Sequence, residues 1–203
     1  MGSSHYFDPN PAPLGPLAEL EVTLAGRRLT VLVAPGVFST TRLDPGTSVL
    51  LRTMARQADL PEAGTFVDLG CGWGPLALTM AILAPSAHVW AIDVNPHARE
   101  LTRLNAERLA LENIHVADRA PPDLPPIDRL WSNPPIRIGK QALHELLVAW
   151  LQALAPQGCA NLVVQKNLGA DSLARWLTDA GFPTTRVASA KGYRVLRATC
   201  SQD

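Results

Sequence analysis

The chain has 203 residues, 47% hydrophobic and 18% charged, enough to bury a full core, and this length favours one domain. Its 18 Lys and Arg balance 18 Asp and Glu, which excludes the strongly basic class that holds nucleic acid by global charge. Met1 to Asn10 has no cationic stretch leading into an apolar run, and nowhere do about 18 apolar residues run unbroken, so neither a secretory signal nor a membrane span is expected.

Prolines between Pro9 and Pro16 predict an extended N-terminal arm. Leu20–Leu24 and Leu29–Val33 read as short strands around Ala25-Gly26-Arg27, a hairpin ahead of the main domain. Residues 1–35 are therefore expected to form an arm and hairpin, and 36–203 the main domain. From Thr47, a suitable N-cap, apolar residues at helical spacing predict a first helix reaching Ala58. Beyond it, apolar runs at Thr65–Leu69, Val89–Ile92, Ile114–Ala117, Leu130–Trp131 and Asn161–Val164 read as strands. They alternate with helical stretches at Leu76–Leu83, His97–Leu109, Ala142–Leu154 and Ser172–Ala180, and Pro121 to Pro126 mark a loop. This alternation implies crossover units and an α/β, doubly wound, mostly parallel sheet. Thr184–Ala188 and Tyr193–Ala198, joined through Lys191-Gly192, are expected to pair antiparallel at one edge. Ligands of such sheets lie at the carboxyl ends of the strands, so the loops there carry the candidates. The odd count of cysteines, Cys71, Cys159 and Cys200, with no CxxC pair, disfavours a disulfide framework or a zinc site, and no metal is expected. A reducing cytoplasm fits best.

The first such loop is Asp68-Leu69-Gly70-Cys71-Gly72-Trp73-Gly74, followed by Pro75, a suitable first residue of a helix. Alternate glycines let a ligand approach the backbone while the helix N-terminus offers free N–H groups. Proline at 75 breaks the dinucleotide fingerprint, and no Lys-Ser/Thr pair supports a Walker loop. Asp93 ends the second strand of the alternating series, where a carboxylate can accept both ribose hydroxyls of a nucleoside. Val94 belongs to the same ligand site, and Asn95-Pro96 starts the next helix beside it. Asp118, past the third strand, is a candidate acceptor for an adenine amine. Asp68, Gly70, Cys71, Gly72 and Gly74 complete the cofactor-binding candidates, with Cys71 read as a small packing residue and Trp73 as a lid.

Ser132-Asn133-Pro134-Pro135-Ile136 ends the fourth strand at the same sheet edge. Methyl transfer from a sulfonium to an exocyclic amine requires the conjugated nitrogen lone pair to be turned toward the methyl group. The Asn133 side-chain oxygen and the Pro134 carbonyl can hold the two amine hydrogens, and Pro134 and Pro135 stiffen the loop. Positioning supplies most of the rate, up to about 7–11 kcal/mol in well-oriented systems. No strong base is needed, because the amine loses its proton to water once alkylated. Glycine turns and Asn-Pro-Pro turns also occur as plain connections; the acid at 93 and the shared sheet edge separate these two from that reading.

Taken with His5-Tyr6-Phe7, Gly36-Val37-Phe38-Ser39, Leu43-Asp44-Pro45-Gly46-Thr47, Gly139-Lys140 and Lys191-Gly192-Tyr193-Arg194-Val195-Leu196, these motifs resemble class I methyltransferases. More narrowly, they resemble the short, single-domain members of the small-domain family that includes the guanine-N2 methyltransferase C of 16S ribosomal RNA. The resemblance implies a seven-stranded sheet, S-adenosylmethionine in the Asp68–Gly74 loop with Asn133 beside it, ribose on Asp93, and the target amine at Asn133. It implies ribosomal RNA or the small ribosomal subunit as partner, with S-adenosylhomocysteine as product. Ile136 stands where many Asn-Pro-Pro enzymes carry an aromatic residue that stacks the flipped base, so Phe38 or Tyr193 is expected to take over stacking. RNA contacts are expected from the hairpin with Arg27 and Arg28, from Arg137, Lys140, Lys166 and Lys191, or from a partner. His97, His115 and His144 read as surface or packing residues. The competing readings are a protein glutamine methyltransferase, a DNA adenine-N6 methyltransferase, and a catalytically silent cofactor-binding factor in ribosome assembly.

Overall fold

The computed structural model of the chain describes residues 13–200; His5-Tyr6-Phe7 and much of the proline-rich arm lie outside them. A hairpin of β1 (Ala18–Leu24) and β2 (Arg27–Val33) precedes α1 (Pro45–Gln57). There follow β3 (Ala63–Leu69), α2 (Pro75–Leu83), β4 (Ser86–Ile92), α3 (Pro96–Arg108), β5 (Ile114–Ala117) and β6 (Ile127–Ser132). After these come α4 (Lys140–Leu151), β7 (Leu154–Gln165), α5 (Ala170–Asp179), β8 (Thr184–Ala190) and β9 (Tyr193–Thr199). The seven-stranded sheet has the order β5-β4-β3-β6-β7-β9-β8. β3 to β7 run parallel, and β9 is antiparallel to both of its neighbours. The chain winds outward from β3 to β5, then returns to the other side of β3 as β6, so the switch in strand order opens a crevice between the carboxyl ends of β3 and β6.

Both faces of the sheet are covered, and its central strands therefore read as continuous apolar runs. Val67, Leu130 and Leu162 face Leu143, Leu147 and Leu173 of α4 and α5. Their neighbours Phe66, Trp131 and Val163 face Val49, Leu50, Leu76 and Met80 of α1 and α2 on the opposite side. The hairpin has its own small core, where Val22, Leu24, Val31 and Val33 pack on Leu78, Leu101 and Ala106 of α2 and α3.

Several boundaries differ from the sequence reading. The hairpin turn is only Ala25-Gly26, both at positive φ (49° and 74°), the geometry that follows strand twist; Arg27 already pairs with Leu24. The cap of α1 is Asp44, not Thr47: the Asp44 carboxylate accepts from Thr47 N at 2.9 Å, Pro45 opens the helix, and Thr47 is buried in the first turn. Helix α4 stops at Leu151, and Leu154, expected in the helix, begins β7. Strand β7 is twelve residues long because it pairs with β6 on both sides of a register shift between Ile127 and Arg129. At that shift Gly158 is required, since a Cβ there would lie 2.3 Å from the Ile127 carbonyl oxygen. Among the described residues no helix is long and apolar enough to cross a membrane.

Candidate active site

The loops after β3 and β6 meet in the crevice. Leu69 is in register with Ser132, and Ser132 Oγ donates to the Leu69 carbonyl at 2.7 Å. Gly70, Gly72 and Gly74 all have positive φ (79°, 59° and 95°), a region open to glycine at little cost. A Cβ on Gly70 would come within 4.0 Å of the Asn133 carbonyl oxygen, and one on Gly72 would meet nothing within 4 Å. The glycine loop thus leaves an open face beside Asn133. Its curvature is held by Gly70 N and Cys71 N, which both donate to the Ile92 carbonyl, and by Thr102 Oγ1 donating to Gly72 O.

Two carboxylates flank this loop. Asp93 accepts from Gly72 N at 3.0 Å and from Asn95 N at 2.9 Å. Asn95 in turn caps α3 through His97 N and donates to Gly36 O, while Val94 is 56% exposed at the rim. Asp68 is fully buried. One of its oxygens accepts from Ala77 N in the first turn of α2, and Oδ1 has no partner. Burial pushes its carboxyl up to about 8, the Ala77 N–H opposing and the nearby Asp93 charge adding to the rise. Burial, with Asp68 and Asp93, also raises the Cys71 thiol, which packs against Thr102 Oγ1 at 3.3 Å and has the environment of an inert cysteine.

The loop after β6 holds Asn133 by its amide nitrogen. Nδ2 donates to Asp44 Oδ1 at 2.9 Å and to Thr47 Oγ1 at 3.2 Å. The Pro134 carbonyl accepts from Ile136 N at 2.9 Å, leaving one lone pair free, and Pro135 O accepts from Ile138 N. Ile136 is half-buried against the core and Phe38 is 65% exposed. Tyr193 lies with its ring on α1: a Cβ on Gly46 would meet ring carbons at 2.9 and 3.0 Å. The exposed Arg137 and Lys140 follow β6, Lys166 follows β7, and Lys191 stands in the β8–β9 turn, whose Gly192 O accepts from Lys166 N.

The Trp73 side chain and Arg27 are placed away from the crevice, whereas Asp118 stands at its rim, directly after Ala117, whose carbonyl accepts from Asp93 N. Trp73 is not a lid: it is buried in the hairpin core, and its Nε1 donates to Ser39 O at 3.2 Å, anchoring the segment that carries Phe38. Asp118 is exposed and bound to Arg119 at 2.8 Å; that hydrogen-bonded guanidinium holds its carboxyl below the usual range. An adenine amine there would compete with Arg119. Arg27 lies near Ser86 and Asn113 at the amino ends of β4 and β5, away from the crevice. His144 stacks on Trp176, and His115 stacks on His88. The sequence reading missed Asp44 and Thr47 as partners of Asn133, although both stand in a quoted motif. Among the described residues no group of three or more His, Cys, Asp or Glu is placed to hold a metal ion.

The family described as Methyltransferase small domain matches residues 28–197. A Bacillus subtilis protein, Uncharacterized protein YbxB, is 29% identical over 97% of this chain and 98% of its own. Ribosomal RNA small subunit methyltransferase C of Pseudomonas entomophila is 34% identical over 94% of this chain, which spans 57% of that relative's length. Among solved structures, the 16S rRNA N2 methyltransferase of T. thermophilus, in complex with AdoMet and guanosine, superposes with a TM-score of 0.79 at 22% identity, covering 95% of this chain and 52% of that one. A ribosomal protein L11 methylase from Lactobacillus delbrueckii reaches 0.67 at 20% identity, covering 90% of this chain and 100% of that one. These structural likenesses establish the fold, and with the matched residues the chain belongs to the small-domain family of S-adenosylmethionine-dependent methyltransferases.

Proposed function

We propose that the protein transfers a methyl group from S-adenosylmethionine to an exocyclic amine, that of guanine N2 in small-subunit ribosomal RNA. The observation that carries this reading is the meeting of the glycine loop and Asn133 in one crevice, with the Asn133 carbonyl 4.0 Å from the space beside Gly70. When bound, the cofactor supplies an electrophilic methyl on a sulfonium. The chain's residues fit that cofactor: in the loop of Gly70, Cys71, Gly72 and Gly74 the backbone is open at Gly70 and Gly72, and the buried Asp68, one oxygen unpartnered, holds the start of α2 through Ala77 N. Asp93 takes the ribose hydroxyls, Val94 and Asn95 frame the nucleoside, and Asp118 lies on the adenine side.

Asn133 and Pro134 accept the hydrogens of the target amine, and Pro135 keeps their loop rigid. The amine proton leaves to water after transfer, so no base is required. Phe38 is the exposed aromatic residue that stacks the flipped base; Ile136 packs against the core under α4, and Tyr193 supports α1. Arg137, Lys140, Lys166 and Lys191 hold RNA phosphates. The relatives named as ribosomal RNA methyltransferases support an RNA substrate. On this reading residues 36–203 are the methyltransferase domain, 1–35 an arm and hairpin, the small ribosomal subunit the partner, and the cytoplasm the compartment.

The test is transfer of labelled methyl from S-adenosylmethionine into extracts whose ribosomal subunits lack the modification, with Asn133→Ala as control. Label released by nuclease as methylated guanosine is the expected result. Label retained in protein after nuclease and released by protease puts a glutamine side chain in its place.

A further inference from the structure

An asparagine amide is nearly symmetric in shape, yet its two ends are opposite in hydrogen-bonding sense: the nitrogen offers two donors, the oxygen only acceptors. Which end faces a substrate decides what the site recognises. Both N–H groups of Asn133 are engaged, one by the Asp44 carboxylate at 2.9 Å and one by the Thr47 hydroxyl at 3.2 Å. Among the described residues no donor reaches Asn133 Oδ1. A carboxylate has no hydrogen to give, so turning the amide over would set Oδ1 against Asp44 Oδ1 and lose that bond; the Thr47 hydroxyl can donate as well as accept, so the carboxylate sets the sense of the amide and Thr47 adds a second tether.

Asp44 is itself immobilised. The same Oδ1 accepts from Thr47 N at 2.9 Å as the cap of α1. Tyr193 closes the other side: a Cβ on Gly46 would lie 3.0 Å from Asp44 Oδ1 and 2.9 Å from Tyr193 Cε1. Gly46 is glycine because cap, ring and helix converge there with no space for a methyl group.

We propose that Asp44, seconded by Thr47, is the positioning residue that fixes the orientation of Asn133, so that the crevice presents acceptors only and selects a substrate that brings an NH2 group. The inference rests on the amine-methyltransferase reading above and adds the cause of its selectivity. Asp44 touches no substrate; it acts through Asn133.

The test separates cap from orientation. Asp44→Ser keeps a capping oxygen on a side chain too short to serve Asn133 as well. Asp44→Asn retains an amide oxygen able to accept both bonds, and Thr47→Val removes the hydroxyl without touching the cap. In the wild type the Asn133 side-chain NH2, assigned in nitrogen-15 NMR by its loss in Asn133→Ser, is expected to show slowed hydrogen exchange and shifts displaced from those of a free amide. Asp44→Ser and Thr47→Val return it toward free-amide values, and Asp44→Asn does not. With unmodified small ribosomal subunits as substrate, Asp44→Ser is expected to lower kcat about tenfold or more, with KM and the affinity for S-adenosylhomocysteine within about twofold, and Asp44→Asn to restore most of kcat. An unaltered Asn133 NH2 signal in Asp44→Ser, or full kcat in that variant, overturns the assignment. Loss of kcat matched by an equal loss of folded protein on melting reduces Asp44 to a cap and also overturns it. If wild-type protein and Asn133→Ala label RNA equally, the amine-clamp reading fails instead, while the NMR signal still decides the orientation.

Discussion

Asn105 and Leu32 exchange two hydrogen bonds across the hairpin's edge: Asn105 Nδ2 donates to Leu32 O at 3.0 Å, and Leu32 N donates to Asn105 Oδ1 at 2.6 Å. The amide acts as a one-residue strand for β2. The same Nδ2 donates to Trp73 O at 3.0 Å, so one fully buried side chain on α3 ties the hairpin to the glycine loop.

Replacing Asn105 by leucine keeps its branched heavy-atom shape, with somewhat larger methyl groups, and deletes all three bonds. The expected loss is about 1–3 kcal/mol for each buried partner left unpaired, read by denaturant unfolding, with weaker S-adenosylhomocysteine binding because Trp73 O belongs to the loop. Stability equal to the wild type would show that the hairpin is held by its apolar core alone.

Asp93 has two duties, and its removal tests both. The carboxylate ties Gly72 N to Asn95 N and is assigned to the ribose. Asp93→Ala is expected to weaken S-adenosylhomocysteine binding by about 1–3 kcal/mol in calorimetry. Unchanged affinity removes Asp93 from the ribose role and leaves it as a loop brace.

Asp68 gives the protein a characteristic pH dependence. Its carboxyl is raised from an ordinary 3.8 to about 8, chiefly by burial. Between those values the folded state keeps a proton that the unfolded chain has lost, so this group makes stability fall as pH rises, levelling off above about 8. Asp68→Asn mimics the neutral form and keeps an oxygen for Ala77 N. The variant's melting temperature is expected to gain on the wild type from pH 5 to pH 9, and parallel curves at all pH values would refute the raised carboxyl.

The parallel strands, α2 and α3 were legible because glycine, proline and apolar runs punctuate them locally. The first part of β7 was not: Ala155-Pro156-Gln157-Gly158 reads as a loop, and only pairing beside Ile127 makes it strand. Asp44 and Thr47 are both good caps by type, and the choice between them is made by Pro45 fitting the first helical position. The glycine loop, Asp93 and Asn133 stand out as linear motifs. The contacts from Asn133 to Asp44 and Thr47 join residues 89 and 86 positions apart, a convergence that no local pattern announces. Trp73 was misread because its glycine neighbours suggest an exposed loop, whereas the hairpin core buries it.

The three lysines of the chain, Lys140, Lys166 and Lys191, all lie at the crevice end of the sheet, at the start of α4 after β6, directly after β7 and in the β8–β9 turn. No Asp or Glu occurs in residues 133–141, 165–170 or 190–193, so these three segments carry only positive formal charge in a chain whose net charge is zero. Changing the three lysines together to glutamine keeps the length and polarity of exposed side chains, and melting is expected to be unaffected. Affinity for unmodified small-subunit RNA should fall. The slope of log affinity against log salt should flatten by roughly 0.7 for each lost contact to a single-stranded phosphate, or about 2 for all three. Binding of S-adenosylhomocysteine should not change, since none of the three belongs to the glycine loop. An unaltered salt slope with intact RNA affinity would mean that the phosphates lie elsewhere, whereas a flattened slope with normal cofactor binding assigns the lysines to the RNA backbone and leaves base selection to the crevice.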